Sequence, residues 1–246
     1  MSIAMSTPLK LTAAVGAIAV LLLSACASGP KPPDWQLEAK GSMERSVAAY
    51  MEGNSRVEQA ELERARSQLA RTGRADLLAT AELLHCATRV ASLVFESCAG
   101  FEKLRQDVSA PQRAYADYLG GRVQPQDVAL LPAPQRAAAV GDAGALKSMT
   151  DPLSQLVAAG VLLQTGKASP AVIAQAIDTA SAQGWRRPLL AWLGVQAQRA
   201  EQGGDLEEAA RLRRRMDIAQ RSASGAKAPV KEAAQEAAKE IPKENK

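Results

Sequence analysis

From Trp35 to about Ser222 apolar residues recur every three or four positions, the spacing that lines one face of an α-helix. The pattern is clearest in the last third of the chain. Asp151-Pro152 opens a helix that puts Leu153, Leu156, Val157, Gly160 and Val161 on one face, and Gly166 closes it. Ser169-Pro170 opens a second as N-cap and first helical residue, with Ile173, Ala176, Ile177 and Ala180 aligned and Gly184 at its end. A third begins near Pro188, aligns Leu189, Trp192, Leu193, Ala197 and Ala200, and stops at Gly203-Gly204. Asp205 caps a fourth, predicted to turn Leu206, Ala209, Ala210 and Met216 inward.

The first half predicts helices near 42–52, 56–72 and 75–91, the last with Leu77, Ala81, Leu84 and Ala91 in line. Between 109 and 150, Pro111, Gly120-Gly121, Pro125, Pro132 and Pro134 cut the pattern into shorter helices. Composition sharpens this picture. Hydrophobic residues make up 47% of the chain but aromatic ones only 3%, so alanine and leucine supply the apolar surface, as in close-packed helices. The expected fold is all-α: helical hairpins in an irregular bundle or a short repeat-like stack.

The turn glycines Gly166 and Gly204 lie 38 residues apart. In the second hairpin, Leu193, Ala197, Ala200, Gly204 and Ala209 fall at the small and turn positions of a tetratricopeptide repeat, which it weakly resembles, at a period of about 34 residues. It departs from that pattern at Arg213, where an apolar or aromatic residue is usual. The run 47–60 carries a similar Tyr-x-x-Gly turn, with its alanine two residues late.

The N-terminus carries the most specific signal. Lys10 precedes an apolar stretch, Leu11 to Leu23, of the length of a secretion signal's core and too short for a bilayer span of roughly 20 residues. It ends in Leu23-Ser24-Ala25-Cys26, which resembles the lipobox of bacterial lipoproteins without departure. The resemblance implies a signal peptide over 1–25, cleavage before Cys26, and acylation of that residue, several chains giving a stable membrane anchor where one would not. Ala27 stands where Asp would signal retention in the inner membrane, so the resemblance implies an outer-membrane lipoprotein facing the periplasm. Residues 26–34 then form a short Pro-rich tether, 35–222 the helical domain, and 223–246 a Lys/Glu/Ala/Pro-rich tail read as disordered.

Candidate chemistry is sparse. Cys86 and Cys98 are two thiols in an exported chain, which suits one disulfide. On one continuous helix they would lie about 18 Å apart, so a bridge requires a turn within 91–97; the alternative is two buried free thiols. His85, the only histidine, neighbours Cys86, but adjacent helical residues diverge and zinc needs three or four ligands, so neither a metal nor a cofactor is expected. The two Ser-x-x-Lys matches, Ser28/Lys31 and Ser224/Lys227, fall in Pro/Gly-rich segments unsuited to hold a nucleophile against its base. Arg186, Arg187, Arg213, Arg214 and Arg215 make the most basic stretches and are candidates for partner contact; the plainer reading is a solvated helix face paired with Glu207-Glu208.

The net charge of +4 is spread along the chain and does not resemble the stripe of a nucleic-acid binder. The expectation is therefore a non-enzymatic, membrane-anchored domain that docks an envelope protein. The rival is a carrier of an envelope lipid or other apolar ligand. A filled core with a polar groove would favour docking, and an exposed or hollow apolar groove the carrier.

Overall fold

In the computed structural model the described residues are 31–225, with side chains through Arg221. The signal segment, Cys26 and most of the tail lie outside them. The described residues form helices and turns without a strand, and none of these helices is long and apolar enough to cross a membrane.

The first helix, α1, already begins at Asp34 and runs to Glu52, because Gly41 sits within it without breaking it. Gly53 ends it in the left-handed conformation (φ 86°), where a side chain would be strained. Asn54 then accepts a hydrogen bond from the Val57 amide and starts α2, Ser55–Ala70. The third helix, α3, spans Ala75–Ala91. Beyond a loop and the short α4, Ala99–Glu102, comes α5, Ala110–Leu119, opened by a Ser109/Gln112 capping box with Pro111 in its first turn. The proline-cut middle holds α6, Ala133–Ala139, between two 3₁₀ turns at Pro125–Leu130 and Ala143–Ser148.

The last third forms two hairpins, α7, Pro152–Gln164, with α8, Pro170–Ala182, and α9, Arg186–Gln202, with α10, Leu206–Gly225. Asp151, Ser169 and Asp205 cap the helices they were expected to start. Consecutive helices pack on each other from α1 to α4 and from α6 to α10, α5 packs on α3 and α7, and α9 also returns to α1.

Two expectations change. Rather than presenting a single face, α7 is buried on all sides from Leu156 to Leu162, since α3, α5, α6 and α8 surround it. Gly160 is where it meets α3: a Cβ there would collide with the Val90 carbonyl. On α10, Leu206 is 69% exposed rather than inward, whereas Ala209 is buried as expected and Leu212 joins it. Leu206 is the first residue of the helix, ahead of the turn that touches α9.

The main core gathers around α7 and includes Phe101, Tyr118, Ile173 and Trp192. Trp192 is fully buried and donates its indole N–H to the Ala91 carbonyl at 3.1 Å. Full burial of a large apolar side chain contributes roughly 1.5–3 kcal/mol. A second, smaller core of Ala39, Met43, Leu62, Ala65, Leu69 and Ala81 sits among α1, α2 and α3.

Candidate functional site

The five arginines do not form one surface. Arg186 and Glu201 stand near opposite ends of α9, about 22 Å apart along its axis. Arg187 is committed internally: it donates from Nε to the Tyr50 carbonyl (2.7 Å) and from its terminal nitrogen to Ser55 Oγ (2.8 Å), and lies over the Tyr50 ring. The Arg186 guanidinium lies against the Gly53 turn. Arg213 pairs with Glu201 across the last hairpin, and Arg214 and Arg215 follow on α10, where Arg211, with a smaller part from Arg215, holds the Glu208 carboxyl below its ordinary value.

Cys86 and Cys98 are joined, their Cα atoms 5.8 Å apart, because α3 ends at Ala91 and the chain doubles back. Leu93 in that bend takes a left-handed conformation (φ 61°). The bridge closes one side of a recess of about 220 Å³ lined by Arg66, Glu82, His85 and Arg89. Here α2 and α3 meet through ion pairs: Arg66 holds Glu82 with two bonds (2.6 and 2.8 Å), and Arg89 holds the buried Glu58 at 3.2 Å. His85 Nε2 lies 2.9 Å from Arg89 and 3.2 Å from Glu58. Burial, then the Arg89 charge, push the imidazole below its ordinary value of 6.5, against the opposing pull of Glu58 and Glu82. These pairs use both arginines and the two buried carboxylates internally, and Glu96 adds an exposed carboxylate to the lining.

One accessible surface is largely apolar. A groove of about 580 Å³ runs between α3, α5, the Pro125–Leu130 turn and the start of α7, lined by Leu83, Leu84, Tyr115, Leu130, Leu153 and Val157 among others. Three of its polar members are engaged within the protein. Gln112 donates to the Asp76 carbonyl and to Thr80 Oγ1, and Asp151 accepts from the Ser154 amide. Burial and the Asp151 charge raise the Tyr115 phenol well above its usual range, so its hydroxyl stays neutral.

A second groove, of about 320 Å³, adjoins it along α3, lined by Trp35, Ala39, Met43, Leu69, Leu77 and Ala81, with Lys40 and Arg74 among the lining. Thr80 and Leu84 belong to both grooves. The sequence reading placed Leu77 and Leu84 on a packed face, yet both are half-buried in these grooves. A signal was present in the neighbouring leucines 77–78 and 83–84. Adjacent helical side chains point about 100° apart, so each pair spreads apolar surface over more of α3 than one core contact covers.

Set against protein-family models, curated proteins and solved structures, the chain matches none of them.

Proposed function

We propose that this chain is a membrane-anchored, non-catalytic docking domain of the bacterial envelope, and that its larger groove takes the apolar stripe of an amphipathic helix from a protein partner. The carrying observation is the groove itself, an open trough whose lining is mostly apolar, with Gln112 and Asp151 engaged within the protein. An amphipathic helix laid into it would bury its apolar side and cover the open side with its own polar face. An exposed apolar groove is the feature expected of the carrier. The carrier is put second because the groove is open, so a lone lipid in it would leave part of its chain in water. Asp151 at the rim favours a basic residue on the incoming helix. The anchor rests on Leu23-Ser24-Ala25-Cys26, and the sorting to the outer membrane on Ala27.

The test is site-specific photocrosslinking from Leu130 and Leu153 in intact cells, with labelled fatty acid reporting on Cys26. One partner should be captured from both positions, and Leu153→Gln should cut that capture at least severalfold with circular dichroism unchanged. Arg214→Glu should leave it intact. Capture that ignores Leu153→Gln but falls with Arg214→Glu would move the site to the arginines, whereas stoichiometric lipid in the purified protein would install the carrier. Labelling that persists in Cys26→Ser would sink the anchor.

A further inference from the structure

We propose that the smaller groove holds an acyl chain of an anionic phospholipid from the leaflet in which the protein is anchored, with the lipid phosphate at Lys40. This rests on the anchored reading above.

The place of the groove is the first argument. Its lip is the opening turn of α1, where Trp35 and Gln36 belong to the lining. The chain that precedes this turn needs only residues 27–33 to reach Cys26. Seven residues span at most about 25 Å, so a lipid on Cys26 holds the lip of this groove within that distance of the bilayer. Trp35 is half-exposed at the lip. An indole with an apolar body and a polar N–H favours the headgroup level of a membrane.

Charge is the second argument. Among the described residues the charged side chains lining the groove are both basic, Lys40 and Arg74. Arg74 is held by Asp76 with a bond of 2.6 Å. Lys40 touches only Glu44, at 3.8 Å and with both side chains largely in solvent, so its ammonium can turn to an anionic headgroup. Lys31 adds a like charge on the tether, and Asp34 opposes it. Openness, which counts against a free lipid in water, suits a lipid that remains in the membrane, because the bilayer covers the exposed side of the groove.

The experiment uses the mature protein that the anchored reading implies, produced without lipid from residue 27. It is mixed with vesicles of phosphatidylglycerol or phosphatidylcholine whose acyl chains carry bromine as a contact quencher. The chain has three tryptophans, and Trp185 is half-buried, so the measurement is made in a Trp185→Phe background. There phosphatidylglycerol vesicles should quench the tryptophan fluorescence, and Trp35→Phe should abolish the quench, since the remaining Trp192 is fully buried. Lys40→Glu should weaken vesicle binding roughly tenfold, the scale of reversing one basic charge at an anionic surface. Leu77→Gln should reduce quenching while circular dichroism stays unchanged. Quenching that survives Trp35→Phe, equal binding to both lipids with no response to Lys40→Glu, or no vesicle binding at all would overturn the proposal. Unlipidated Cys26 recovered from cells would overturn the anchored reading instead, and that result is read without vesicles.

Discussion

His85 changes charge in a pH range where nearly every other side chain of this protein keeps its own. Its ring nitrogen is shared between a donor, Arg89, and an acceptor, Glu58. The neutral ring accepts from Arg89, whereas the protonated ring must donate to Glu58 and face the guanidinium with a like charge. The folded pKa lies below the ordinary 6.5, so the unfolded chain binds the proton first. Stability is therefore complete above about pH 6.5, and is lost as pH falls from there through the folded value. Urea midpoints should drop between pH 7 and pH 5, and His85→Gln, which can still accept from Arg89, should flatten that slope. Because there is one histidine in the chain, a slope that persists in the variant would assign the effect to the carboxylates. Tyr50 shows a different limit of single-residue reading. Its buried ring lies between the guanidiniums of Arg89 and Arg187, from helices remote in sequence, and its hydroxyl has no hydrogen-bond partner among the described residues. Nothing local to Tyr50 announces either arginine.

At the scale of the helix, two glycines separate packing from propensity. Gly160 faces the Val90 backbone, which cannot move without shifting α3. Gly160→Ala should destabilise by about 1–3 kcal/mol through overpacking, despite the gain in helix propensity. Gly194 on α9 is also helical, but its nearest neighbour to a new Cβ is the Met216 terminal methyl at 3.9 Å. Gly194→Ala should be neutral or stabilise by up to about 1 kcal/mol. Paired chemical denaturation curves decide both. The same contrast explains what was legible. The four helices of the last third could be located from Asp151, Ser169, Asp205 and the turn glycines, because caps and stops are local chemistry. The inward residues of α8 followed from its periodicity. The enclosure of α7 did not, since Val157-Ala158-Ala159-Gly160-Val161 looks much the same whether two or four neighbours cover it. The grooves were missed for the converse reason: Leu84 differs from Leu83 only in what fails to pack on it.

Over the whole molecule, the two ends of the described chain are fastened by a few long-range bonds. Arg187 reaches the α1–α2 turn through the Tyr50 carbonyl and Ser55, and Trp192 reaches Ala91. Arg187→Ala should cost roughly 1–3 kcal/mol and raise hydrogen exchange around Gly53. Arg187→Lys should recover little, because a single ammonium cannot match the fork of a guanidinium. Full retention of stability in either variant would show that the apolar contacts of α9 hold the seam alone. The disulfide lies within a much shorter stretch, residues 86 to 98. A chain delivered N-terminus first can therefore close its covalent loop while α9 is still to come. Until residues 187 and 192 emerge, Tyr50 and the Ala91 carbonyl stay uncovered, and α1–α3 stand as a half-built body with a bare seam. The window for misassembly is then set by the time needed to deliver about a hundred further residues, so slowing the arrival of α9 should harm yield more than slowing anything after it.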